Sequence, residues 1–440
     1  MGIIDHFKGM DMDFSSKCRQ VDELKMECAR SNRGTTAFSS LLSMSRDFDQ
    51  TRRNNNMLVF DEKESNFDLV LDNLKDDNCN YVVVDFDGAY YQEMANDFAM
   101  RGFAVKKINL MDVENSDGYN PFSYTQDEID VDILVQCIVA NTNSSYYMRA
   151  SIGERIIINN LEKTFLKILI SCYMKYGTSK TMNAAVNLLS GEDREVKLDR
   201  LFSGMFPQGP NEMECNRYKV FKQEAGDRFS DIVSSCADRI EIFKEDRMIA
   251  LAKKEPLQFE HLYLGKQVLF IMIPSNMRQA ELLTSVILSQ ICNMLCNESR
   301  RNNKDRTVMM YFNYFADLGM VVDLERLISQ FPHFNLGCML HVNSFAKLGQ
   351  IYKDWEVILE ACDSMVYLGL NDDPTHQYVL EHADSVMIRK KRMMGKEMYV
   401  SAQLKIDEIR DMDANDCIAV VKGIGTFLTP RCGRWIDLDN

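Results

Sequence analysis

The sequence has no Cys-x-x-Cys pair, and its thirteen cysteines are spread singly from Cys18 to Cys432 without grouping around its six histidines. A zinc or iron–sulfur centre needs such spacing, so no metal centre of that kind is expected, and free thiols in this number suit a reducing compartment. Cys292 and Cys296, one helical turn apart in an apolar stretch, read as two buried core thiols. Long hydrophobic runs are missing too. The longest, Phe165 to Met174, falls far short of the roughly 20 residues of a membrane-spanning helix, and residues 1–45 assemble no signal peptide. Positive charge is in deficit: 51 Lys and Arg against 65 Asp and Glu give a formal net charge of −14. That excludes a protein that wraps nucleic acid over a large surface, though a local basic patch remains open. Internal repeats and low-complexity tracts are also absent, which removes solenoid and disordered classes.

What is present is a sheet-forming pattern. Of the 440 residues, 46% are hydrophobic and 26% charged, the balance of an ordinary globular protein with room for two or three domains. Short buried-strand runs occur at Met57 to Phe60, Tyr81 to Val84, Ala104 to Leu110, Val268 to Ile273, Thr307 to Phe312, Gly337 to Val342 and Ser364 to Leu370, and Cys417 to Val421 is expected to close the sheet. Helical patterns lie between them, at Tyr90 to Arg101, Gln279 to Cys296 and Thr375 to His382. Strand–helix alternation predicts an α/β doubly wound, mostly parallel sheet. From about Gln126 the strand runs stop and apolar residues recur at helical spacing, which predicts an all-α inserted domain over 126–255. The flanks, 51–125 and 256–440, then form one discontinuous α/β domain. Residues 1–50 read as a polar arm with one amphipathic helix around Val21 to Ala29.

Several pieces in this order resemble a known family. They are SDGYNPF (Ser116 to Phe122), YKVFKQEAG (Tyr218 to Gly226), VLFIMIPS (Val268 to Ser275), FADLG (Phe315 to Gly319), CDSMVYLGLND (Cys362 to Asp372) with Thr375, and CIAVVKGIG (Cys417 to Gly425). Together they look like the TraG/TraD-like type IV coupling proteins, bacterial RecA-like hexameric ATPases that pass DNA and proteins into conjugative or secretion channels. The resemblance covers about residues 50 to 430. It implies a P-loop NTPase type of fold, with the helical insertion as the family's all-α domain.

The positions that would carry the chemistry depart from the family. A phosphate loop needs glycines so that backbone N–H groups converge on phosphate, plus a Lys and a Ser/Thr. The loop belongs at Asp61-Glu62-Lys63-Glu64-Ser65-Asn66-Phe67-Asp68, yet no glycine occurs between Gly34 and Gly88. Phe67 and Asp68 match the family's Lys and Thr. Carboxylates here would repel a triphosphate, each pair at roughly 6 Å costing about 0.7 kcal/mol even in bulk water. After the next strand the family's Asp-Pro-Lys-Gly-Glu becomes Asp85-Phe86-Asp87-Gly88-Ala89, which retains Asp85 and Gly88. The Asp-Glu pair that holds magnesium and activates water matches Asn313 and Tyr314. An amide cannot act as a base, and a phenol with a pKa near 10 does not replace a carboxylate. The arginines that reach a neighbouring subunit match Pro332 and Phe334, and two family glutamines match Asn343 and Lys347. Phosphoryl transfer needs all these parts together.

The remaining candidates read as follows. Arg389, Lys390, Lys391, Arg392 and Lys396 form the densest basic run, a contact for nucleic-acid phosphate or an acidic partner. Arg300, Arg301, Lys304 and Arg306 form a second, and both runs also suit solvated loops. Gly177-Thr178-Ser179-Lys180-Thr181 follows a helix, not a strand, and reads as an inter-helix loop. Tyr90-Tyr91 and Tyr146-Tyr147 read as half-buried packing residues, and His341 as a core or rim histidine. The leading expectation is a catalytically inactive pseudo-ATPase of the coupling family that binds or assembles, without a cofactor. Its partners would be an active coupling ATPase, another secretion component, a secreted protein or DNA, in a homo- or hetero-oligomer. It would lie in the cytoplasm or at the inner face of the cell membrane. The alternatives are a DNA-translocating ATPase with an atypical site, using ATP and magnesium, and a scaffold that has left secretion.

Overall fold

The computed structural model describes residues 14–62, 66–177, 179–203, 209–275, 280–297, 306–370, 372–383, 385–393 and 396–433. Thirteen strands are present among them: β1 (Thr35–Ala37), β2 (Ser43–Ser45), β3 (Met57–Asp61), β4 (Cys79–Phe86), β5 (Ala104–Asn109), β6 (Gln267–Ile273), β7 (Thr307–Phe312), β8 (Leu336–Val342), β9 (Ser364–Gly369), β10 (Ser385–Met393), β11 (Lys396–Gln403), β12 (Asp416–Val421) and β13 (Gly425–Pro430). Eleven of them make one sheet in the order β11-β10-β13-β12-β9-β3-β8-β7-β4-β6-β5, and β1 pairs with β2 apart from it. The seven strands from β9 to β5 are all parallel to their neighbours. Their carboxyl ends therefore share one edge.

Continuous apolar runs form these strands because both sheet faces are covered. Along β7 the alternation sends Val308, Met310 and Phe312 into one core and Met309 and Tyr311 into the other. Leu58 and Phe60 of β3 enter the first, Met57 and Val59 the second. The first core continues into the helices between β5 and β6. These run from Glu128–Asn141 to Asp246–Lys253 and include the 25-residue Ile152–Tyr176. The chain leaves the sheet and returns to it at one place: Gly118 bridges Pro256, and the Tyr124 hydroxyl donates to the Leu257 carbonyl.

Two expectations are corrected. The stretch 14–50 is no polar arm: helix Phe14–Arg30 and strands β1 and β2 bury Val21, Leu24, Phe38, Leu42 and Met44 in the second core. Buried Arg46 pins this segment to the sheet, its guanidinium donating to Thr36, to Asp76 at 2.8 Å and to the Cys79 sulfur. Cys417 to Val421 does not close the sheet either. As β12 it runs antiparallel to β9, and β13, β10 and β11 extend the sheet beyond it. Among the described residues no helix is long and apolar enough to cross a membrane.

Candidate functional site

The carboxyl ends of β3, β4, β7 and β8 bring Asp61, Asp85, Asn313, Tyr314 and Asn343 to one edge of the sheet, where open α/β sheets place their chemistry. Asn313, one residue past β7, is 3% exposed. Its amide nitrogen donates to the Val84 carbonyl at 2.7 Å, and its oxygen accepts from the Asn66 amide at 3.4 Å. Asn313 thus ties the end of β7 to β4 and to the start of helix Phe67–Leu74. A carboxylate has no hydrogen to give to Val84.

Tyr314 takes left-handed backbone angles, with φ of 51°. Its N–H donates to His341 Nδ1 at 3.2 Å, and its ring lies 5.0 Å from that imidazole and 5.4 Å from Phe86. Burial pushes His341 down to about 4, so the ring is neutral at neutral pH. With Nδ1 accepting, its proton sits on Nε2, which is 3.8 Å from the buried Asp61 carboxylate.

Asp85 has a local role. Its two oxygens accept the N–H groups of Tyr90 and Tyr91 at 3.1 and 2.8 Å, which caps helix Ala89–Met100. Burial raises its pKa to about 6, against the lowering effect of those bonds. Gly88, at φ 78°, makes the turn into that helix.

Phe67 is the first residue of its helix, and its ring packs 4.8 Å from Tyr90. Asp68 is exposed and lies against Gly433, where a Cβ would come within 2.4 Å of the Asp68 carboxylate. The first turn of this helix thus carries an aromatic ring packed on Tyr90 and a carboxylate lying against Gly433. Glu62 is exposed, and its N–H donates to the Gly369 carbonyl at 3.1 Å. Lys63, Glu64 and Ser65 lie outside the described residues. Among the described residues no group of three His, Cys, Asp or Glu side chains is arranged to hold a metal ion.

Other sequence candidates fall elsewhere. Pro332 and the buried Phe334 precede β8, at the opposite edge of the sheet from Asn313. Asn343 is half-buried just past β8, and Lys347 pairs with Asp317. The Arg389, Lys390, Lys391, Arg392 and Lys396 run lies on the β10–β11 ribbon, four to five strand spacings or roughly 19–24 Å from β3. Arg306 is spent on the amino end of β4, where it donates to Asn80 and to the carbonyls of Asp77 and Cys79. Arg300, Arg301 and Lys304 lie outside the described residues. Thr181 caps the helix Met182–Leu188, so the Ser-Lys-Thr stretch sits between two helices. Sequence reasoning missed Asn66, Val84 and Gly433. The one available signal was Asn66 itself, an N-cap residue type placed just before an apolar helix.

A family model described as Type IV secretory system Conjugative DNA transfer matches residues 69–391. The fold is similar to that of TrwBΔN70, a bacterial conjugative coupling protein solved with sulphate, at a TM-score of 0.68 and 14% identity over 96% of this chain and 94% of that one. It is similar to TrwB with the GTP analogue GDPNP at 0.67 and 14%, over 95% and 94%. VirB4 of Thermoanaerobacter pseudethanolicus matches at 0.54 and 12%, over 93% and 98%. These likenesses place the fold among RecA-like α/β domains. No curated protein matches the sequence significantly.

Proposed function

We propose that this chain, which belongs to the Type IV secretory system conjugative DNA transfer family, serves that machinery as a binding or assembly module that does not hydrolyse nucleotide. The observation that carries the reading is the use made of Asn313. Its amide joins Val84 to Asn66 inside a buried network, at the position the resemblance gives to a magnesium-holding acid. TrwB has been solved with ADP and magnesium. Here Phe67 and Asp68 stand where the loop's Lys and Thr would be, and the carboxylates at this edge would meet a triphosphate with like charge. Loss of the loop, the metal acid and the base together removes every part that phosphoryl transfer needs.

The kept sheet and helical domain supply a frame for contact with an active coupling ATPase, with a secreted protein or with DNA. The basic β10–β11 ribbon is the element we assign to phosphate or to an acidic partner. The test is heat denaturation with and without magnesium and ATP, beside a sensitive phosphate-release assay. We expect an unchanged melting curve and no release. Hydrolysis that disappears when Asn313 is changed would overturn the reading.

A further inference from the structure

The backbone that follows Tyr314 is held from outside by side chains of other elements. Met320 donates its N–H to Asn141 Oδ1 at 2.6 Å, and its carbonyl accepts from Asn141 Nδ2 at 3.1 Å. The Val321 N–H donates to the Tyr352 hydroxyl and the Val322 N–H to Ser289 Oγ, both at 2.9 Å. Asn141 is the last residue of Glu128–Asn141, the first helix of the inserted domain, and its Nδ2 also reaches Ser285 Oγ at 2.8 Å on helix Ala280–Leu295. One amide of the inserted domain thus satisfies both backbone groups of Met320. Gly319, at φ 73°, makes this approach possible, because a Cβ there would stand 2.5 Å from Asn141 Oδ1 and 2.7 Å from the Glu281 carbonyl.

Upstream of Met320 in the same segment are Asn313 and Tyr314, fixed to Val84 and His341. Among 313–322, the polar backbone groups named here are satisfied by partners on other elements, so opening the whole segment leaves buried groups unmet at both of its ends. We infer that Asn141 is a coupling bracket: it joins the inserted helical domain to the carboxyl edge of the sheet, so that 313–322 and helix Glu128–Asn141 open as one cooperative unit. A partner that orders or strains the helical domain would thereby act on the loop bearing Asn313 and Tyr314.

Amide hydrogen exchange on the full chain tests this without nucleotide, so its outcome is separate from the question of hydrolysis. In the wild-type protein, Tyr314 and Met320 to Val322 should exchange at the rate of the Ile133 to Val139 amides. Asn141→Leu should speed exchange at least tenfold at Met320 to Val322 and also at Tyr314, and leave the β4 amides unchanged. Asn141→Asp keeps the acceptor for Met320 N–H and loses the donor. It should give a smaller increase at the same sites, and it serves if the leucine variant does not fold. An increase confined to Met320 to Val322 with Tyr314 unchanged, or no increase in either variant, would overturn the coupling.

Discussion

Placing a carboxylate at the position the family resemblance gives to an acid, Asn313→Asp, should destabilise this protein. The ionised side chain would turn an oxygen toward the Val84 carbonyl, where the amide now donates at 2.7 Å, in a site only 3% exposed. Leaving a buried carbonyl unmet costs about 1–3 kcal/mol, and a second buried carboxylate near Asp85 adds to it. We expect a loss of about 2–4 kcal/mol at neutral pH. The protonated acid, however, can donate to Val84 as the amide does. The new carboxyl's pKa is therefore raised on folding, so stability should be near wild type below the unfolded carboxyl value of roughly 4 and decline as pH rises. Asn313→Ala removes the donor at every pH and should show a loss that does not recover in acid. Urea unfolding of the three proteins at about pH 4 and about pH 7.5, with and without magnesium, measures this. A neutral-pH stability equal to wild type would show that the amide bond to Val84 carries no weight, and one raised by magnesium would show that the position can hold a metal; either result contradicts the expectation.

Asp85 and Asp416, both raised by burial to about 6, should make the wild-type protein lose stability as pH rises from about 4 through 6. Asp85→Asn should flatten that slope in a pH series of unfolding midpoints, by at most about 3 kcal/mol. In the helical domain Glu162 and Arg239 pair at 2.7 Å with no exposure on either side. Glu162→Gln should cost about 3–5 kcal/mol by stranding the guanidinium, and the double change Glu162→Leu with Arg239→Met should recover much of it; a double-variant loss as large as the single one would contradict this. If the β10–β11 ribbon holds phosphates, replacing Lys390 and Lys391 by serine should weaken DNA binding evenly across sequences. The slope of log affinity against log salt should then fall by about 0.7–0.9 per lost contact, read by fluorescence anisotropy.

The parallel half of the fold was legible because strands buried on both faces must be continuously apolar, as at Val308 to Phe312 and Tyr81 to Val84. Of the strands beyond β9, β12 was legible as Cys417 to Val421 and the others were not. The ribbon Ser385–Gln403 is dense in charge, and a strand at or near a sheet edge needs little hydrophobicity. The helix around Val21 to Ala29 was legible, but its packing with residues 31–50 was not: strands of three residues such as Thr35–Ala37 are too short to show a period, and Arg46 is buried only because Thr36, Asp76 and Cys79 meet it. At the candidate site the residue types at Asn313, Tyr314, Phe67 and Asp68 were plain in the sequence. Their partners were not, since Val84, Asn66, His341 and Gly433 come from four separate segments that only the sheet brings together.

Calorimetric titration of the full chain with magnesium-ATP is the decisive measurement for a strand-end edge proposed to take no nucleotide. No saturable heat is expected up to millimolar nucleotide, with Asn313→Ala giving the same flat trace. A saturable one-to-one isotherm that requires magnesium and is abolished by that substitution would contradict it.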